Sequence, residues 1–304
     1  MIVFLSSDKG GTGRSVTGGN LAYRSALSGA DVCYFDFDFG SPTAGVIYSL
    51  DEAARGIESR AGHGLHSYFK TDGGAEPAQL DVWRRSARES VRDRPTRAGR
   101  LVFVPGDAAG GEFEIAPRMV DRCVDLFLRA EEQFDLCLVD LSAGRSWATQ
   151  MVLEATAKPA LTNVSCRWLV FHRWTEQHIL ATNGLVYGER GLLAIGAAQR
   201  HEREQLENAI RFVRTAVPDP TLATLAPEQA AWLQEYDVHL HRMANQRHLG
   251  HEARIGSIPA DPLLQWRENL ITDEDVSTLR IANKPTMDAF TDLARAVTDN
   301  WEPW

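Results

Sequence analysis

Lysine is scarce in this chain of 304 residues, standing only at positions 9, 70, 158 and 284, whereas lysine and arginine together number 32. Nearly every cation is therefore an arginine, and a lysine that escapes this bias marks a position suited to a compact point charge. Cysteine is equally thin. Cys33, Cys123, Cys137 and Cys166 are widely spaced and form no C-x-x-C pair, which excludes the spacing used by zinc ribbons, iron–sulfur clusters and thiol exchange and leaves ordinary buried thiols. No run approaches the roughly 18 apolar residues of a membrane span, and no charged leader precedes an apolar segment, so a cytoplasmic protein is expected. An excess of basic charge is also lacking. The net charge of -9 argues against a surface given over to nucleic acid and confines any such contact to a local patch.

What is present suits one large core. With 44% hydrophobic and 24% charged residues, the whole chain 1–304 is expected to form a single α/β domain, elaborated at about 160–250. MIVFLSS opens an apolar run. Val16, Leu21, Ala22, Ala26 and Leu27 then recur at helical spacing up to Gly29, so the unit reads strand, loop, helix. DVCYFDFDFG, LVFVPG (101–106) and FDLCLVDLSAG (134–144) read as further strands, with a helix over 119–133 before the last. Strands alternating with helices predict a mostly parallel central sheet covered by helices on both faces, whose ligands bind at the carboxyl ends of the strands. Farther on, 160–174 is β-compatible, 201–217 and 226–248 read as amphipathic helices, 254–266 as a short strand with a Pro-Asp turn, and PTMDAFTDLARAVTDNW as a closing helix.

The loop after the first strand, DKGGTGRSV (8–16), resembles a phosphate-binding turn with its cation displaced. In the ordinary pattern G-x-x-x-x-G-K-[ST], backbone amides wrap the phosphates, the lysine neutralises them and the hydroxyl binds Mg²⁺. Here the lysine position is Arg14 and the first glycine position is Asp8, while Lys9 opens the loop. Asp36 and Asp38 follow the second strand, and Asp140 ends the strand before Gly144. ATP needs amides, cations and a helix N-terminus, with Mg²⁺ held by a hydroxyl and carboxylates. Ser15, Asp38 and Asp140 are the candidate metal set, and Gly144 could offer an amide to the terminal phosphate. A tight connection and solvated strand caps would explain each feature alone. Their joint order points to a nucleotide site.

These segments resemble the ParA/MinD family of deviant Walker A P-loop ATPases. The similarity lies in Lys9-Gly10-Gly11-Thr12-Gly13-Arg14-Ser15, continued by Val16; in FDFDFG (35–40); in LCLVDLSAG (136–144); and in SIPADPLLQWRENLI (257–271). It runs from residue 1 to about 296. The resemblance implies a slow ATPase that uses ATP and Mg²⁺ and closes as an ATP-dependent homodimer to recruit or position a partner protein or cargo. It implies that Lys9 reaches the partner subunit's phosphates, Arg14 contacts the nucleotide in cis, Asp38 positions the attacking water, and Pro259 and Asp261 pack on the base. The family's base-recognising asparagine has no secure counterpart; Asn163 and Asn183 are the nearest candidates. A guanidinium is bulkier than an ammonium and forks its donors, so a nucleotide-sensing scaffold with little or no hydrolysis is the alternative, and ATP-dependent nonspecific DNA binding a lesser one.

Three side features have plainer readings beside the functional ones. His239, His241, His248 and His251 could face a zinc ion, but no cysteine joins them and Arg242 and Arg247 would repel a cation, so a partly exposed basic helix suffices. Segment 83–100 carries seven arginines against two acids; it could track a phosphate backbone or dock an acidic partner, and a solvated helix explains it as well. Trp168 and Trp174 read as core, and Trp301 and Trp304 as an anchor or partner contact. The C-terminal end lacks a basic amphipathic helix, which disfavours stable membrane attachment.

Overall fold

The computed structural model describes residues 1–71, 75–108, 110–221 and 225–299. Eight strands form one sheet: β1 (Ile2–Ser6), β2 (Val32–Phe37), β3 (Leu80–Asp81), β4 (Leu101–Val104), β5 (Leu136–Leu141), β6 (Cys166–Arg173), β7 (Ile210–Val217) and β8 (Arg254–Pro259), in the order β3-β4-β2-β5-β1-β6-β7-β8. All neighbours are parallel except the short β3 against β4. β1, β2 and β5 are buried along their whole length, which explains why they read as near-continuous apolar runs instead of alternating ones.

Successive side chains point to opposite faces, and each face has its own core. Ile2, Phe4, Phe35 and Phe37 pack with Phe127 and Met151, from helices Pro117–Gln133 and Trp147–Thr156. Val3, Leu5, Tyr34 and Leu138 pack with Leu21 and Ala26 of helix Arg14–Leu27 and with Phe290 and Leu293 of helix Lys284–Asp299. Trp168 and Trp174 are buried, as expected, whereas Trp301 and Trp304 lie outside the described residues. No described helix is long and apolar enough to cross a membrane.

The expected helix over 201–217 is a correction. Only Arg203–Asn208 is helical, and Ile210–Val217 is β7, an interior strand hydrogen-bonded on both sides. IRFVRTAV is rich in β-branched and aromatic residues, which favour a pleated, buried surface, and the preceding polar turn merely lent it helical spacing. The arginine-rich segment 83–100 has most of its arginines exposed, as the solvated-helix reading expects. It forms two short helices, Val82–Arg85 and Glu89–Arg92, and several of its arginines serve the fold. Arg88 donates to the Leu270 carbonyl at 2.8 Å and to both oxygens of buried Asp275, Arg85 pairs with Glu52, and Arg100 with Asp31. The chain's return from β8 is tied to the first helix by Asn20, whose amide nitrogen donates to the Asn269 carbonyl and whose oxygen accepts from the Ile271 amide.

Candidate functional site

β1 lies between β5 and β6 near the middle of the sheet, so the loop after it opens at the carboxyl edge where such sheets bind ligands. Gly11 and Gly13 have φ of 71° and 75°, a left-handed backbone that costs glycine nothing and lets the turn close before the helix begins at Arg14. Thr12 is buried; its carbonyl accepts a hydrogen bond from the Thr215 hydroxyl of β7, which also reaches the His172 carbonyl of β6. Thr215 thus clamps the loop to the sheet. Lys9 is half-buried and enters no ion pair among the described residues, while the adjacent Asp8 faces Arg145 at 3.6 Å. Gly144, expected to offer its amide to a phosphate, instead donates it to the Ser7 carbonyl at 2.7 Å.

Asp38 and Asp140 come together beside the loop, as expected, and the cation between them is Arg14. Its Nε donates to Oδ1 of Asp140 at 2.5 Å, and its Nη2 to Oδ2 of Asp38 at 3.0 Å and to Oγ of Ser15 at 3.4 Å. Its Nη1 donates to Oγ of Ser7 at 3.4 Å. Arg14 is 6% exposed and Asp140 fully buried, the second oxygen of Asp140 accepting from the Tyr34 hydroxyl at 2.8 Å. Burial alone would lower the guanidinium's pKa, but the charges of Asp140 and then Asp38 raise it above its ordinary value. Burial, followed by the charge of Asp140, pushes the Tyr34 phenol well up, so it remains a donor. Asp36 is set apart: its oxygens accept from the Asp38 and Ala44 amides and shape the turn, and burial and then Asp140 hold its carboxyl well above the usual range.

Ser15, Asp38 and Asp140 are the residues that would hold Mg²⁺. With Arg14 among them they do not fit a divalent ion. A unit charge and a doubly charged ion about 4 Å apart, at an effective dielectric constant of about 20, repel by roughly 8 kcal/mol, and the carboxylates that would offset this are already bonded to the guanidinium.

On the other side of the loop lies a cavity of about 690 Å³ lined by Gly11, Gly13, Val16, Trp174, Pro259 and Asp261. Asp261 is structural as well as lining: its oxygens accept from the Leu263 and Asn283 amides and fix the turn after β8. Helix Pro227–Gln246 supplies the outer wall with Trp232 and Tyr236, whose rings stack at 5.0 Å and 13°. Behind Trp174, the guanidinium of Arg214 lies over its ring at 3.6 Å and bonds His241 at 3.0 Å; burial and then Arg254 lower its pKa to about 10. Sequence reasoning missed Thr215, Trp232 and Tyr236. The i, i+4 spacing of Trp232 and Tyr236 was the one available signal.

Asn163 is exposed before the start of β6, and Asn183 donates to the Arg247 carbonyl; neither lines the cavity. His239, His248 and His251 are exposed, and among the described residues no group of three or more His, Cys, Asp or Glu is placed to hold a metal.

An eight-stranded, mostly parallel sheet with helices on its faces is the P-loop NTPase fold of MinD and ParA proteins. No protein-family model and no curated protein matches the sequence, so the likeness rests on solved structures. A chain of the MinC:MinD cell division protein complex of Aquifex aeolicus superposes with a TM-score of 0.62 at 14% identity, covering 100% of this chain and 98% of that one. The septum site-determining protein MinD of Pyrococcus horikoshii OT3, complexed with Mg-ADP, gives 0.55 at 15% identity, with 98% and 96% covered. pNOB8 ParA bound to nonspecific DNA gives 0.56 at 14% identity, with 98% and 99% covered.

Proposed function

We propose that this chain is an ATP-dependent switch: it binds ATP at the loop 9–16, pairs with a second copy in that state, and so recruits or positions a partner protein or cargo. The observation that carries the reading is the loop itself, opening at the carboxyl edge into a helix N-terminus beside a cavity large enough for a nucleoside. Loop amides of Gly10 to Val16 would take the phosphates, and the wall at Pro259 and Asp261 the base. The fold shared with a MinD that carries Mg-ADP supports a nucleotide of this class. Lys9, free of any ion pair among the described residues, is suited to reach the phosphates of a second copy. Such a site becomes complete when two subunits close on it.

Hydrolysis would need Asp38 to orient water, yet Asp38 is bonded to Arg14. That bond favours slow turnover and gives the second reading, a nucleotide-sensing scaffold, its specific support. DNA binding is a lesser reading, motivated by the ParA fold neighbour on DNA, and stable membrane attachment is not part of the proposal.

The test is light scattering and calorimetry with ATP and ADP on the wild type, Lys9→Ala and Asp38→Ala. ATP-linked dimerisation that Lys9→Ala abolishes, with nucleotide affinity retained, is expected. A wild type that binds no nucleotide removes the reading.

A further inference from the structure

We infer that this chain binds its nucleotide without a divalent metal, the guanidinium of Arg14 standing permanently in the place a metal would take among Ser15, Asp38 and Asp140. The inference rests on the nucleotide-binding reading above and specifies the form of the ligand: a metal-free nucleoside di- or triphosphate.

Three observations carry it. The first is the set of partners. One guanidinium contacts the hydroxyl and both carboxylates expected to surround the metal, and it does so with directed N–H bonds. The second is how firmly it is held. Ser7 makes a fourth contact, and Tyr34 fixes the carboxylate that receives Nε, so the cation is bounded by β5, by the residue just after β1 and by the turn after β2. The third is burial. Arg14 is 6% exposed and Asp140 has no exposed surface; moving Arg14 out to admit a metal would first strip a buried carboxylate of its partner, a costly intermediate. An arginine does not escape this by losing its proton.

The charge that a divalent ion brings to phosphates from solution would here come from the chain: Arg14 beside the loop and Lys9 at its mouth. An arginine can do what a lysine in the same place cannot, because its planar fork reaches two carboxylates and a hydroxyl at once. The composition bias toward arginine therefore does not explain the residue's placement. Its three-way contact does.

Calorimetric titration of ATP, and separately ADP, into the full-length protein in excess MgCl₂ and in excess EDTA tests the inference. Binding at least as tight in EDTA as in MgCl₂ is expected for the wild type, because excess Mg²⁺ withdraws the metal-free nucleotide; a weakening of more than about fivefold in EDTA overturns the inference. Absence of binding in both conditions removes the nucleotide reading and the inference with it, whereas binding only with Mg²⁺ removes the inference alone. Electron paramagnetic resonance of Mn²⁺ supplies an independent readout. Relative to Mn²⁺ with ADP alone, the signal should not change further when wild type is added and should change with Arg14→Lys, whose lone ammonium leaves a carboxylate open; a further loss with the wild type overturns the inference whether or not the variant folds.

Discussion

Arg14 and Asp140 are 126 residues apart in the chain and joined by a buried ion pair, with Tyr34 closing the far side of the same carboxylate. Removing one partner of such a pair leaves a desolvated charge, a loss of about 3–5 kcal/mol. Arg14→Ala and Asp140→Asn should each lower the unfolding free energy in urea by about that amount. The double variant Arg14→Met with Asp140→Leu should be less damaging than the sum of its singles, since neither charge is then left alone. Single variants within about 0.5 kcal/mol of wild type would show that the pair does not hold the site together.

Acid should weaken the fold through His172. Its ring is fully buried at the end of β6, its Nε2 has no hydrogen-bond partner, and burial, reinforced by the nearby charges of Arg214 and His178, lowers its pKa to about 4 against the bond to the Arg173 carbonyl. The unfolded chain binds this proton near pH 6.5 and the folded chain resists it, so stability is fully present above about pH 6.5 and is lost as pH falls toward 4. The loss sums to about 3 kcal/mol. Urea titrations at about pH 7.5 and about pH 4.5 should show this drop in the wild type and a clearly smaller one in His172→Asn; equal drops would assign the acid sensitivity elsewhere.

Much of the sheet and the phosphate-type loop were legible because both depend on local pattern. β1, β2, β4 and β5 are short apolar runs closed by turn residues, and Gly11 and Gly13 occupy the positions that need a left-handed backbone. β7 was not legible because the helical spacing carried over from Arg203–Asn208 masked the strand composition of IRFVRTAV, and its pairing with β6 and β8 is tertiary. Within the site, Ser15, Asp38 and Asp140 lie around Arg14, and the contact of Arg14 with all three was not legible in the sequence. A side chain with a planar fork goes where carboxylates converge in space, and that convergence, between β2 and β5, is tertiary.

The arginine-rich segment should divide into two kinds of residue. Arg88 clasps Asp275, which is 1% exposed, and the Leu270 carbonyl, so Arg88→Ala should destabilise by about 3 kcal/mol and resist added salt. Arg84, Arg94 and Arg97 are exposed, and their replacement by alanine should leave stability within about 0.5 kcal/mol. Denaturation of the single and triple variants checks this. Any DNA affinity that falls with the exposed triple variant, and rises as salt is lowered in the wild type, would restore the nucleic-acid reading for this patch.

The aromatic wall of the cavity makes the most local claim about the ligand. Trp232 is 59% exposed yet stacked on Tyr236, and both line the cavity along with Pro259. An apolar ring left in water gains by covering a second planar surface, and a base stacked on an aromatic side chain contributes about 1–3 kcal/mol. If the base occupies this cavity, Trp232→Ala should weaken nucleotide binding by about tenfold or more and reduce the tryptophan fluorescence change on binding, leaving the part due to Trp174. Trp266 is the control, because it is 88% exposed and does not line the cavity; Trp266→Ala should leave both readouts unchanged. An unaltered dissociation constant in Trp232→Ala would place the base away from this helix, leaving the cavity to another ligand while the loop keeps the phosphates.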